Sequence, residues 1–226
     1  MEDHSVVDVG GVRMAYRSWG DQHGAPVILL HGLGSSALSW EKAGQALGEE
    51  WRVYALDLRG HGESDWPDEY AFEQMRDDVL GFIEESKIDR AGVVGHGMGG
   101  VVAYLLAQDH PDRVERLVLE DTPPPFADAQ DVLPGDGPVD YDENAVPEIQ
   151  AQLADPPSDW LERLGEIVAP TLMITGGHDS EMDQSQLPEM ADLIPDCAQI
   201  SLPGGHRMHE RSPQQFADKV SDFFSS

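Results

Sequence analysis

Residues 93–108 read VVGHGMGGVVAYLLAQ, and this stretch decides the fold. A short run of β-branched residues closed by glycine has the pattern of a strand buried on both faces. The GHGMGG that follows leads straight into an apolar segment long enough for a helix, so the chain changes from strand to helix within a few residues. A turn that sharp brings backbone against backbone, and glycine permits it. In strand–turn–helix units of the G-x-S-x-G type the central residue stands at the tip of the turn and is the nucleophile. Here the tip is Gly97, which has no side chain.

Working outward, the same strand signature recurs on both sides. Val27 to Leu30 lie between Pro26 and Gly32, and WRVYALDLRGHG (51–62), VERLVLEDTPPP (114–125), APTLMITGGHD (169–179) and CAQISLPGGH (197–206) each end in turn-forming residues. VVDVGGVRMAYRSWG (6–20) reads as two strands joined at Gly10-Gly11, a hairpin. Helical segments are expected at Ser39–Leu47, Phe72–Lys87, Met98–His110, Gln186–Ile194 and Pro213–Phe224. Strand–helix alternation with glycine at the strand ends predicts an α/β fold: a mostly parallel sheet of about eight strands, its first hairpin antiparallel, with helices on both faces.

One segment breaks the alternation. Residues 122–165 are rich in Pro and Asp and follow directly on a strand end, where open α/β sheets bind their ligands. At about 44 residues the segment exceeds an ordinary loop. It is expected to be a short lid, with helical pieces at Val146–Leu153 and Ser158–Leu164, inserted into a core formed by 1–121 and 166–226.

Composition narrows the function classes. Only 14 Lys and Arg stand against 43 Asp and Glu, a net charge of −29. Such a surface repels nucleic acid and anionic membranes, and the acids are scattered rather than clustered. No apolar run approaches the roughly 20 residues of a membrane helix, and MEDHSVVDVG lacks the basic and apolar regions of a secretory signal, so a cytoplasmic monomer or homodimer is expected. Cys197 is alone and forms no internal disulfide. His206 and His209 stand three apart without further Cys or His to complete a metal site, and neither a metal nor another cofactor is expected.

Five motifs in order, HGLGSS (31–36), DLRGHGES (57–64), GHGMGG (95–100), TGGHDS (175–180) and GGHRMHERSP (204–213), make the chain resemble an α/β-hydrolase fold protein from the first hairpin to the last helix. The resemblance implies a small-molecule substrate and hydrolysis of an ester, lactone or thioester. It implies Gly97 at the nucleophile position, His206 as base and Asp179 as acid, with Asp121, past another strand end, as the alternative acid. The backbone N–H groups of Leu33 and Met98 are the expected oxyanion donors. His96, Trp40, Phe126 and Trp160 are expected to line the pocket, and His31 and His61 to serve structurally.

Three accounts of Gly97 follow. The chain is an altered copy of a serine-type enzyme, it uses His206 as a general base without a covalent step, or it binds a small molecule without catalysis. The retained acid–base pair weighs against the last, since a binding pocket does not need one.

Overall fold

The computed structural model describes residues 3–126 and 140–226. In chain order its elements are β1 (Asp3–Val9), β2 (Val12–Trp19), β3 (Pro26–Leu30), α1 (Glu41–Leu47), β4 (Arg52–Leu56), α2 (Phe72–Glu85), β5 (Ala91–His96), α3 (Met98–Asp109), β6 (Val114–Glu120), α4 (Ala145–Ala154), α5 (Ser158–Glu162), β7 (Thr171–Thr175), α6 (Leu187–Leu193), β8 (Cys197–Ser201), α7 (Met208–Arg211) and α8 (Pro213–Phe224). The strands form one eight-stranded sheet in the order β1-β2-β4-β3-β5-β6-β7-β8. β1 and β2 pair antiparallel, as do β2 and β4, and every pair from β4 to β8 is parallel.

The local causes are those read from the sequence. Gly10 and Gly11 both take positive φ, 68° and 95°, the two-residue hairpin turn that matches strand twist. β3, β5 and β7 are buried along nearly their whole length because helices cover both faces of the sheet. α3 runs through the centre of one layer, with every residue from Met98 to Gln108 buried, which explains its apolar composition. One apolar layer gathers α2, α3 and the buried residues Ala145, Ile149 and Leu153 of α4; the other gathers α1 and α8 with Trp40, Phe216 and Val220.

The expected lid, 122–165, includes 127–139, which lie outside the described residues. Its remaining part does not stand apart from the core. Gln152 accepts from Phe72 N–H and Glu148 from Tyr70 N–H, so α4 satisfies the open N-terminus of α2. Trp160 meets the ring edges of Phe72 and Tyr104, and the Arg163 guanidinium bonds Asp109 at 2.6 Å.

β3 has β4 on one side and β5 on the other, although β4 follows it in sequence. This reversal of strand order opens a crevice at the carboxyl ends of β3 and β5, where ligands of such sheets bind. Gly32 and Gly97 lie there.

Candidate active site

The turn after β5 holds its tip under tight restraint. Gly97 has φ 51° and ψ −117° and precedes the first residue of α3. Its N–H donates to the Glu120 carbonyl at 3.0 Å, and its own carbonyl accepts from Gly100 N–H at 3.0 Å. A β-carbon at Gly95 would strike the backbone of Gly99 and Gly100, and one at Gly99 the carbonyls of Leu30 and His31, so these flanking glycines are required for close approach. Gly97 differs. A β-carbon there clashes with nothing, and it would stand 3.7 Å from His206 Nε2 and Cε1 and 3.8 Å from Gly32 Cα.

His206 follows β8. Its Nδ1 lies 3.2 Å from Asp121 Oδ2, so Nδ1–H donates to the carboxylate and the lone pair of Nε2 faces the tip. Asp121 is fully buried, follows β6 directly and has φ 40°, a left-handed conformation uncommon for a residue with a side chain. Its Oδ1 accepts from Gly176 N–H at 2.9 Å, and Ser180 Oγ donates to its Oδ2. The carboxylate is thereby fixed on three sides.

The carboxylate paired with His206 is thus Asp121, and not Asp179 as expected. Asp179 stands in the short turn Gly177–Asp179 after β7, exposed, with no hydrogen bond to His206. The reason is local. The turn points Gly176 N–H and the Ser180 hydroxyl inward at Asp121, and the Asp179 side chain between them faces out.

The loop after β3 reaches the tip from the opposite side. His31 Nε2 accepts from Leu58 N–H at 3.0 Å and its Nδ1 bonds the Gly32 carbonyl at 2.8 Å. His61 Nε2 accepts from Gly34 N–H at 3.2 Å and its Nδ1 bonds the Arg59 carbonyl at 3.0 Å. Each pattern requires a neutral ring with its proton on Nδ1. Burial, which disfavours the charged ring, lowers His31 to about 4 and His61 to about 3. Asp57 accepts from Ala37 N–H at 2.6 Å and Glu63 N–H at 3.1 Å, tying this loop to the one that follows β4. The buried Arg59–Asp78 pair, at 2.6 and 2.7 Å, anchors that second loop to α2. Leu33 is buried beside the tip, and the Met98 N–H, at the first position of α3, has no partner within its helix.

These two histidines set a pH dependence. Their folded values lie below the ordinary 6.5, so the unfolded chain binds more protons over the range from about 6.5 to about 4. Stability is full above that range and falls as pH drops, by about 1.4 kcal/mol per pH unit for each ring that stays neutral. His61→Gln, whose amide can accept from Gly34 and donate to Arg59, removes one such term and leaves the carboxylates unchanged. Urea unfolding at pH 7, 6 and 5 is expected to show a shallower loss for the variant by about that slope. Parallel losses would show that His61 is not held neutral.

The other residues expected to line a pocket have neighbours of their own. Trp40 is fully buried and stacks on His209 at 4.0 Å, a floor residue rather than a wall. Trp160 is buried against Phe72 of α2 and Tyr104 of α3. His96 is buried and its Nε2–H donates to the His206 carbonyl at 2.8 Å, so it holds the base loop rather than a ligand. Burial lowers its pKa well below the ordinary value, in keeping with a neutral ring. Phe126 is half-buried against the larger apolar layer. Ser180, Glu120 and His209 take part in the site's framework; Ser180 and His209 lie within the quoted motifs without a role read for them there, and Glu120 lies outside the motifs.

The profile described as the alpha/beta hydrolase fold matches residues 25–135, which contain the loop after β3, the tip and Asp121. The chain has the α/β-hydrolase fold. The chain is 38% identical over 132 residues to a soluble epoxide hydrolase of Corynebacterium sp. (strain C12), covering 58% of this chain and 46% of that protein. It is 28% identical over 255 residues to an sn-1-specific diacylglycerol lipase of Mus musculus, covering 91% and 83%. The crystal structure of the enol-lactonase from Burkholderia xenovorans LB400 superposes with a TM-score of 0.84 at 26% identity, covering 98% of this chain and all of that one. The match thus spans less than half the length of the Corynebacterium relative. Among the described residues no helix is long and apolar enough to cross a membrane.

Proposed function

We propose that the site is that of a serine-type hydrolase for carboxylic esters, lactones or thioesters, with Gly97 at the nucleophile position. The observation that carries this reading is the direction of the missing side chain. A β-carbon at Gly97 has open space and lies 3.7 Å from His206 Nε2, whose ring is backed by Asp121. A hydroxyl on that carbon comes within hydrogen-bond reach of the base, the arrangement an activated nucleophile needs. The Leu33 and Met98 N–H groups are the donors in this reading for the charge that develops on a carbonyl oxygen. The lactonase and lipase likenesses support a carbonyl substrate.

As it stands the chain holds such a substrate without forming an acyl-enzyme. Segment 122–165 is then the substrate-selecting cap, because its described ends flank the site. It leaves from Asp121 and returns where Tyr141 bridges His61 and Asp140 accepts from Gly62 N–H at 2.7 Å. A second reading, His206 as general base on water, rests on the same Asp121–His206 pair and requires the parent chain to be active alone.

A fluorophosphonate reagent tests the first reading. The Ser Oγ–phosphorus bond forms, the phosphorus–fluorine bond breaks, and His206 takes the hydroxyl proton as fluoride leaves. Intact-mass analysis is expected to show one adduct on Gly97→Ser, and none on the parent chain or on Gly97→Ser/His206→Ala. An unmodified Gly97→Ser protein that is folded would overturn the proposal.

A further inference from the structure

Glu120 and Asp121 are consecutive residues at the end of β6, both fully buried, and each grips a histidine of the segment after β8. Asp121 takes His206. Glu120 takes His209, accepting from its backbone N–H at 2.9 Å and from Nδ1 at 2.7 Å. Two adjacent side chains of an extended strand point to opposite faces. The left-handed turn at Asp121, φ 40°, lets both reach histidines only three residues apart.

His209 has no chemical step in the hydrolytic reading, yet its Nδ1, its backbone N–H and both ring faces have close neighbours, while its buried Nε2 has no hydrogen-bond partner. Its ring stacks on Trp40 at 4.0 Å with an interplanar angle of 27°, and meets Phe216 at 6.2 Å. Its Nε2 lies 3.8 Å from Glu210 Oε1. His96 stands between the two pairs, with ring centroids 4.9 Å from His209 and 4.5 Å from His206, and donates to the His206 carbonyl. A shift of His209 therefore moves α7 and, through three residues of backbone, the base.

We propose that Glu120 and His209 form a second carboxylate–histidine pair that positions His206 against Asp121 and over the Gly97 tip. They are positioning residues, and neither reaches a reacting atom. The inference rests on the hydrolytic reading for its kinetic consequence only, since the geometry it asserts exists in the parent chain.

The experiment has two arms. In the parent chain with isotopically labelled histidine, the His206 Nδ1–H held by Asp121 is expected as a downfield proton resonance, assigned by its loss in His206→Asn. Glu120→Ala is expected to abolish that resonance while unfolding stays cooperative. Glu120→Gln, whose amide oxygen can still accept from His209 N–H, is expected to keep it. In the Gly97→Ser background, Glu120→Ala is expected to lower kcat by about 10²-fold with KM nearly unchanged, the scale of a small misplacement of a catalytic group. Glu120→Gln is expected to recover most of the loss.

Should Glu120→Ala not fold, His209→Phe is read in the same two ways, because it keeps a ring on Trp40 and the backbone bond to Glu120 but loses the Nδ1–H bond. A folded variant of either kind with the His206 resonance intact and kcat unchanged would overturn the inference. An inert Gly97→Ser protein counts against the hydrolytic reading alone, and the resonance then decides this one.

Discussion

Gly97→Ser is expected to hydrolyse small aryl esters at neutral pH faster than the parent chain by a factor on the order of 10⁴–10⁶. Removing the nucleophile of a serine enzyme costs about 10⁶ in turnover, and what remains comes from the oxyanion donors and binding. The reverse change recovers the difference where the other parts already stand in place. Here Nε2 faces the tip at 3.7 Å from the new β-carbon, and no neighbour must move. The same substitution costs stability. A residue with a side chain at φ 51°, ψ −117° bears about 1–3 kcal/mol of backbone strain, which glycine avoids. For a domain of this length that lowers Tm by roughly 2–4 °C per kcal/mol. Gly97→Ala separates the two effects: it bears the strain, gains no hydroxyl and is expected to stay inert. Ester turnover and thermal unfolding of the three proteins decide the matter. Equal rates for Gly97→Ser and Gly97→Ala would mean that the hydroxyl is not activated, and an active parent chain would favour the general-base reading.

In that Gly97→Ser background, Asp121→Asn is expected to lower kcat by about 10⁴, the effect of replacing a triad acid by its amide, which favours the wrong tautomer of the base. Asp179→Asn is expected to change kcat by less than about threefold, the range of an exposed substitution of roughly 0.5 kcal/mol. The contrast follows from burial and bonding. Asp121 is enclosed by His206, Gly176 N–H and Ser180, whereas Asp179 is exposed between two groups that serve its rival. A larger loss for Asp179→Asn than for Asp121→Asn would reverse the assignment of the acid.

That choice marks where the sequence stops being informative. Strand and helix positions are carried by local patterns: valine runs ended by glycine, a double glycine between two strands, an unbroken apolar stretch at 98–108. The expected helix at Phe72–Lys87 ends in the structure at Glu85, and Pro213–Phe224 is found as read. The meeting of Gly97 and His206 was legible for the same reason, since each is tied to a turn of glycines. The acid was not. Asp121 and Asp179 both stand just past strand ends, β6 and β7, and what separates them is a left-handed φ at one and the inward N–H and hydroxyl beside the other. Neither leaves a pattern along the chain. The tryptophans fail similarly. Trp40 lies a few residues from the oxyanion loop in sequence, but it packs beneath the site against His209, and proximity along the chain does not say which face of a loop a ring takes.

The order of the strands bears on when the site comes into being during synthesis. Asp121 and His206 are 85 residues apart, and the base follows β8, an edge strand whose one neighbour in the sheet is β7. A nascent chain can pair the seven preceding strands and bury much of α3 while no base yet exists, so the pocket is chemically silent until β8 and α8 dock. Contacts of such long sequence separation form late, because loop closure precedes their reward. In the finished protein β8 keeps one neighbour in the sheet, and edge strands are the part of such a segment that opens most readily. Amide exchange across β8, α7 and α8 therefore reports how often the acid stands without its partner.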